Sequence, residues 1–263
     1  IRGNSFYSSL EGPSWEEAEE KAVNLGGHLV TINDSEENDW LVSQYYGTGK
    51  LSENLNNKNV WIGYTDKNIE GNWEWVSGET VDFINWAADE PNSNHPQGLD
   101  DYAGMGLIDY QSWRKLGDWV DAHNDPSSIR FGIAEIPFIR RNDSAYVIVE
   151  GPTWEEAEAN AVSLGGHLVT INDAEENEFL ISSFDIYGMH DDITKETYSN
   201  EIPYWIGLND IESEGNWEWT SQENANYTNW HDDRYLGGQL SPNGGTGENV
   251  AYIGGYIDGT WDD

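Results

Sequence analysis

The sequence predicts an α+β fold organised as two tandem copies of one domain. Three observations support this prediction. The chain has 263 residues, a length that suits two ordinary domains. Residues 25–34, which read LGGHLVTIND, return unchanged as residues 164–173. Each copy opens with apolar residues at helical spacing and continues as short strands separated by long loops.

The repeat extends well beyond that block. The stretch EGPSWEEAE at residues 11–19 returns as EGPTWEEAE at residues 150–158, and WIG at residues 61–63 returns at residues 205–207. A repeat this long is a whole domain rather than one unit of a solenoid.

We therefore predict one domain over residues 1–139 and a second over residues 140–263. The first copy runs on through residues 129–137, IRFGIAEIP, which read as a closing strand. The second copy stops at Asp263, before any counterpart of that strand. We expect the second domain to lack its final strand and the chain to be a fragment of a longer tandem array.

Two helices are predicted at the start of each copy. Ser14 and Glu17 form a capping-box pair that opens the first helix, and Gly26 ends it. Asp34 or Ser35 is expected to cap a second helix, and Asp173 does the same in the second copy.

Short strands and long loops follow the helices. Residues 29–32 are predicted to form a short strand, and Trp73 and Trp75 lie two apart, on one face of another. Residues 80–117 and 224–259 are rich in Asp, Asn, Gly and Pro. Loops of that length inside a compact domain are usually functional.

Composition excludes several classes of function. Lys and Arg number 12 against 49 Asp and Glu, for a formal net charge of -37, which disfavours nucleic acid and anionic membrane surfaces as partners. The absence of cysteine excludes disulfides and thiolate chemistry. No apolar run is long enough to span a membrane. The acidic surplus fits cation binding, a high-salt habitat or solubility.

The ordered motifs resemble the C-type lectin-like domain. They are, in the first copy, WEEA, GGHLVTI, an acid-capped helix, WIG, EGNWEW, NW, EPN and GDWVD. The resemblance covers both copies and implies two helices, two small antiparallel sheets and a long loop region per domain. In many members that loop holds calcium and, through it, a sugar. The family's usual cysteines are missing, which indicates a bacterial protein, located outside the cell or on its surface.

The resemblance implies a calcium site in the first copy. Its ligands fall on Glu90 and Asn92, which flank a proline, and on Asp100 and Asp121. Val120 stands where the family has a ligating Asn, so one ligand is lost.

The second copy differs from the family pattern elsewhere. Ser241 replaces the first carboxylate of the loop. The ligands that the resemblance still implies are Asn243, Glu248, Asp262 and Asp263.

Some family members bind a further calcium nearby. Its side chains fall on Asp66, Glu70 and Asp101 in the first copy. They fall on Asp210 and Glu214 in the second copy, with Asn249 in the third place.

The resulting hypothesis is calcium-dependent binding of glycans in adhesion, without enzymatic activity. The side chains expected to contact sugar are Glu90, Asn92, Asp100, Asn243 and Glu248. A Glu-Asn pair resembles the arrangement that favours mannose, glucose or fucose. Aromatic residues in the loops, Tyr110, Trp113 and Tyr235, are candidates for stacking on a sugar, although core packing competes with that role.

Other interpretations stay open at this stage. The EPN stretch alone is a common polar turn. The domains are alternatively structural or protein-binding modules in which calcium only stabilises loops or is absent. Hydrolysis of a glycan by paired carboxylates is a third hypothesis.

Overall fold

The structure is a computed structural model that describes residues 1–48, 59–92, 100–107, 114–125, 129, 131–184, 186, 203–232, 240–254 and 259–263. The chain divides into two compact units, Ile1–Ile148 and Val149–Asp263, called the first and second unit below. The domain assignment to residues 1–139 and 140–263 stays a prediction.

Among the described residues, each unit contains two α-helices, and the second also has a short 3-10 helix, Gly245–Gly247. They are α1 Trp15–Asn24 and α2 Ser35–Tyr45 in the first unit, and α3 Trp154–Ser163 and α4 Ala174–Phe184 in the second.

The predicted caps are present. Ser14 accepts a hydrogen bond from the Glu17 N–H, and Asp34 accepts one from Glu37 at the start of α2. The reciprocal capping box, in which the glutamate also bonds back to the cap residue, forms at Thr153 in the second unit.

The first unit has one mixed sheet of seven strands. They are β1 Ser5–Glu11, β2 His28–Leu29, β3 Asn59–Thr65, β4 Glu74–Trp75, β5 Tyr102–Gly106, β6 Trp119–Ala122 and β7 Phe131–Pro137. The main order is β1-β7-β3-β5-β6, with β2 on β7 and β4 on β3. The pairs are antiparallel except that β3 meets β7 in parallel at Trp61 and Gly132. This contact joins the small antiparallel sheets that were predicted into one.

The remaining strands that the structure describes form a hairpin and a four-stranded sheet. Strands β8 Ile139–Arg141 and β9 Ser144–Tyr146 pair with each other. The second unit has β10 Tyr204–Asn209, β11 Glu218–Trp219, β12 Val250–Ile253 and β13 Trp261–Asp262, in the order β11-β10-β12-β13. The predicted α+β class with two helices in each half is confirmed.

A buried tryptophan docks the first helix of each unit on its sheet. Trp15 is fully buried, and its indole N–H donates to the Ile62 carbonyl at 2.8 Å. Trp154 donates to the Ile206 carbonyl at the same distance. Burial of such a large side chain, with its one donor satisfied, accounts for the Trp at the start of both helices.

Strand lengths differ from the prediction in detail. The strand predicted over residues 29–32 is observed as the two residues of β2. Val30 donates its N–H to the Ile133 carbonyl at 2.8 Å, so its backbone still bonds to β7. The closing strand predicted over residues 129–137 is β7, which begins at Phe131.

Candidate cation and glycan sites

Trp119 on β6 anchors the chain around the first candidate site. Its fully buried indole donates an N–H to Asn38 Oδ1 on α2 at 2.9 Å. Its backbone N–H donates to the Asn85 carbonyl and its carbonyl accepts from the Ala87 N–H, each at 2.8 Å. These bonds hold the chain beside β6 just before it enters the loop at residues 90–92.

The first loop, Glu90–Asn92, brings predicted ligands together. Its Glu90–Pro91 peptide bond is cis. The Asn92 backbone N–H donates to Asp121 Oδ2 at 2.9 Å, and Asn92 Nδ2 donates to Glu90 Oε2 at 2.6 Å. Glu90 also hydrogen-bonds to Asp121, and the charge of Asp100 acts on Glu90. The predicted set in the first unit therefore forms one acidic cluster.

The pKa of Glu90 is raised from 4.5 to about 8. Burial is the largest cause, followed by the hydrogen bond and charge of Asp121, while the positive charge of Arg114 acts in the opposite direction. Two ionised carboxylates have no donor between them, so this contact needs a shared proton. A divalent cation would neutralise the same pair.

Arg114 is a feature of this site that the sequence argument missed. Its side chain is almost fully buried, and Nη2 donates to Asn59 Oδ1 at 2.9 Å. A Cβ at Gly106 would lie 2.8 Å from Arg114 Nε, so the glycine makes room for the guanidinium. Arg114 is the one arginine of residues 80–117, a signal that was available in the sequence.

The second loop, Ser241–Gly244, also begins with a cis peptide bond, Ser241–Pro242. Ser241 Oγ donates to Asp262 Oδ1, and Tyr252 Oη donates to Asp262 Oδ2 at 3.0 Å. Both oxygens of Asp262 thus accept hydrogen bonds from hydroxyl groups. Tyr252 is the second residue that the sequence argument missed.

Asp263 holds the backbone of the second loop. Its carboxylate accepts from the Asn243 N–H at 2.9 and 3.0 Å and from the Gly244 N–H at 2.9 Å. Glu248 packs over the loop, since a Cβ at Gly244 would overlap its carboxylate. The structure brings Asn243, Glu248, Asp262 and Asp263 to one end of the sheet.

The auxiliary sites contain an unsatisfied carboxylate oxygen in both units. Asp66 is buried; its Oδ2 accepts from the Gly71 N–H at 2.8 Å, whereas Oδ1 has no hydrogen-bond partner among the described residues. Asp210 repeats this arrangement, with Oδ2 accepting from the Gly215 N–H at 2.7 Å and Oδ1 without a partner in the part of the chain that the structure describes. Buried acceptors are normally hydrogen-bonded. In each site this oxygen is therefore available as a ligand for a cation.

Neighbouring charge adds to this signal in the first unit. Burial raises the pKa of Asp66, and the charges of Glu70 and Asp101 raise it further. The pKa of Asp101 is raised by burial first and then by Glu70 and Asp100. Glu70 is exposed, and so is its counterpart Glu214. The predicted auxiliary ligands therefore lie close enough to repel one another.

Neither kind of site is a ready-made cage. Among the described residues, no three His, Cys, Asp or Glu side chains are arranged in metal-binding geometry. Binding a cation would therefore require side chains to turn toward it. The stacking candidates Tyr110, Trp113 and Tyr235 lie outside the described residues.

A family model described as the lectin C-type domain matches residues 11–118 and 150–263. The chain belongs to the C-type lectin family. It is 26% identical to human C-type mannose receptor 2 over 278 residues, which cover 100% of this chain and 16% of that protein. It is 34% identical over 92 residues to a perlucin-like protein of Mytilus galloprovincialis, covering 34% of this chain and 55% of that protein.

Solved C-type lectin domains are also similar to part of this chain. The mouse scavenger receptor C-type lectin carbohydrate-recognition domain is 30% identical, with 52% of this chain and 91% of that chain covered and a TM-score of 0.41. This chain spans only 16% of the length of the mannose receptor named above. In the described parts of the chain, no helix combines the length and apolar character needed to cross a membrane.

Proposed function

We propose that this chain is a calcium-dependent glycan-binding module that serves in adhesion. The carrying observation is the convergence of Glu90, Asn92 and Asp121 through direct hydrogen bonds in the first loop. C-type lectin domains commonly bind carbohydrate, and this chain belongs to that family. The proposal assigns Glu90, Asn92, Asp100 and Asp121 as the ligands of the cation.

The donor set fits calcium chemically. Three carboxylates and an amide oxygen are hard oxygen ligands of the kind calcium prefers. When bound, the cation supplies a coordination point for two neighbouring sugar hydroxyls. Glu90 and Asn92 would then accept and donate hydrogen bonds to those hydroxyls, and charge-assisted bonds give such a small contact its selectivity. Mannose, glucose or fucose is the proposed sugar class.

Auxiliary calcium sites at Asp66, Glu70 and Asp101, and at Asp210 and Glu214, belong to the same proposal. The Oδ1 atoms of Asp66 and Asp210 support them, because this same buried oxygen lacks a hydrogen-bond partner within the described ranges of both units. A bound cation there would stabilise the turn that follows each aspartate. The auxiliary sites therefore support stability, and the first loop supports recognition.

A module of this kind gains from repetition. One small sugar contact is weak, and linked sites raise the effective concentration of ligand at each other. We propose a location outside the cell or on its surface. The relatives named above are animal proteins, so the bacterial origin inferred from the missing cysteines stays a prediction.

The rival function is a structural or protein-binding module without sugar binding. Val120 favours it, because this buried apolar side chain stands at a ligand position of the first site. A glycan array with the full chain, in calcium and in chelator, separates the two. The lectin proposal predicts binding in calcium that chelator abolishes and that Glu90→Gln removes. Glu36→Gln, which changes an exposed helix residue, is the matched control.

Binding of no glycan in either condition would overturn the lectin proposal and favour the rival. Binding that survives chelator would reject the calcium ligands assigned above. Incubation of the bound oligosaccharide with the chain tests the remaining hypothesis, since cleavage would indicate an enzyme.

A further inference from the structure

The second unit carries a coordinated set of replacements around its loop. Trp86 matches Trp230 and Trp119 matches Trp261, which aligns the two units residue by residue. Four of the residues that differ between the units here are Ala87, Glu90, Gly104 and Val120 in the first unit. Their counterparts are His231, Ser241, Tyr252 and Asp262.

Strand register shows that two of these changes belong together. Gly104 pairs with Val120 between β5 and β6, and Tyr252 pairs with Asp262 between β12 and β13. A small apolar pair in the first unit is thus replaced by a hydrogen-bonded pair in the second. Cross-strand neighbours interact directly, so the new tyrosine and the new aspartate stabilise each other.

The third member closes the network from the loop side. Ser241 is 3% exposed and donates its hydroxyl to the oxygen of Asp262 that Tyr252 does not use. We call Ser241, Asp262 and Tyr252 the triad. Its carboxylate accepts two hydroxyl donors, and hydrogen bonds to a charged acceptor are about twice as strong as neutral ones.

A second pair, of which only the histidine is buried, lies next to the triad. His231 is 2% exposed, its Nδ1 is 2.9 Å from Thr260 Oγ1, and its carbonyl accepts the Ser241 N–H at 3.1 Å. Thr260 directly precedes the tryptophan of β13. The backbone of Ser241 is therefore fixed on the same strand that presents Asp262.

The two units thus differ in what compensates the negative charge beside the loop. In the first loop, Asn92 donates its backbone N–H to Asp121 and its side-chain N–H to Glu90, so two carboxyl groups face the same residue and a cation would bind between them. In the second unit the loop residue is a hydroxyl donor, Ser241, and the carboxylate is on the strand, at Asp262. The donor there belongs to the protein.

We propose that the triad holds the second loop in place without a cation, so that of the two loops only the first responds to calcium. The statement about the first loop rests on the proposed function; the statement about the triad does not. It competes with the prediction that Asp262 ligates calcium, and one experiment decides between them.

Hydrogen exchange on the full chain, resolved to single amides by mass spectrometry, tests the proposal. The probes are the amides of Asn92, Asn243 and Gly244, which bond to Asp121 or Asp263. Exchange is measured in calcium and in chelator for the unchanged chain, for Ser241→Ala and for Tyr252→Phe. Ser182→Ala removes one exposed hydroxyl bond in the same unit and is the matched control.

We expect chelator to accelerate exchange at Asn92 and to leave Asn243 and Gly244 unchanged. Ser241→Ala and Tyr252→Phe should each accelerate Asn243 and Gly244 by roughly tenfold in calcium and in chelator alike, because each removes a bond to a charged group. Amides of β10 serve as the measure of folding; unchanged exchange there shows that the effect is local to the loop.

Two results would overturn the proposal. One is faster exchange of Asn243 and Gly244 on chelation of the unchanged chain. The other is slow exchange of both amides in Ser241→Ala and in Tyr252→Phe. If chelator leaves exchange at the Asn92 amide unchanged while the triad variants behave as expected, the proposed calcium function of the first loop is wrong and the role of the triad is supported.

Discussion

Ser241 donates a hydrogen bond to Asp262. These two residues stand at the positions that Glu90 and Val120 occupy in the first unit. The two units therefore each retain one carboxylate at this pair of positions, on the loop in the first and on the strand in the second. Considered one residue at a time, Val120 and Ser241 both look like losses of a ligand. Considered together, Ser241 and Asp262 form a complementary pair, and this relationship separates the two loops chemically.

Calcium affinity at the first loop should depend on pH. The pKa of Glu90 is raised to about 8, so at neutral pH the pair with Asp121 holds a proton that a cation must displace. Affinity should rise about tenfold per pH unit below about 8 and level off above it. Isothermal titration at pH 6, 7 and 8.5, in two buffers of different ionisation enthalpy, measures both the affinity and the proton released.

Glu90→Gln is the control for that titration, because it removes the titrating group. Its remaining calcium binding, at the auxiliary sites, should lack the steep dependence. An unchanged affinity from pH 6 to 8.5 in the original chain would contradict the assignment of Glu90 as a ligand.

The same pKa predicts a stability trend in chelator. The folded first unit keeps a proton up to about pH 8, whereas an ordinary glutamate releases it near 4.5. The unfolded chain therefore binds fewer protons in that window, and the free energy of unfolding should fall as pH rises from about 4.5 to about 8. Thermal melts in chelator at several pH values check this, and Glu90→Gln should flatten the trend.

The buried aspartates should control the effect of calcium on stability. Asp66→Asn and Asp210→Asn keep the shape of the side chain and its acceptor oxygen but remove the charge. In chelator neither change should lower the melting temperature, since the lost charge is buried with one oxygen unpaired. When free calcium is at a hundred times the dissociation constant of a site, its binding adds about 2.7 kcal/mol to the free energy of unfolding. Each variant should lose the part of this calcium-dependent stabilisation that comes from its own site.

Asp39→Asn is the control for these two changes, because it neutralises an exposed carboxylate on α2. Scanning calorimetry with and without calcium gives the comparison. A full calcium-dependent rise in both Asp66→Asn and Asp210→Asn would remove calcium from the auxiliary sites.

Asn38 should stabilise the first unit through its hydrogen bond with Trp119, which lies beside the first loop. It accepts the indole N–H of Trp119, and truncation would leave this fully buried donor unpaired. Asn38→Ala should cost about 1–3 kcal/mol in the free energy of unfolding. Urea unfolding measures the loss, and Ser43→Ala on the same helix, which removes two exposed hydrogen bonds of one hydroxyl, is the control. An equal effect of the two changes would contradict this role.

The order of motifs predicted the class, the helices and the place of the first loop. Glu90, Asn92 and Asp121 were predicted together because family resemblance places them, although Asp121 follows Asn92 at some distance in sequence. Arg114 and Tyr252 were missed for a physical reason. The bond from Tyr252 to Asp262 depends on strand register, and Arg114 acts from inside a loop without periodicity. Comparison of the two copies, in which Tyr252 replaces Gly104, would have drawn attention to the tyrosine.

Restoring the loop carboxylate should convert the second unit. Ser241→Glu removes the hydroxyl donor and places a carboxylate beside Asp262 and Asp263, so repulsion should lower the melting temperature of the second unit in chelator. Calcium should then reverse the loss, because the new set of oxygens resembles that of the first loop. Ser241→Ala, which loses the same hydrogen bond without adding charge, should be destabilised equally in calcium and in chelator. Hydrogen exchange at Asn243 and Gly244 reports on this unit alone, and identical behaviour of the two variants would show that the missing carboxylate is not what distinguishes the second loop from the first.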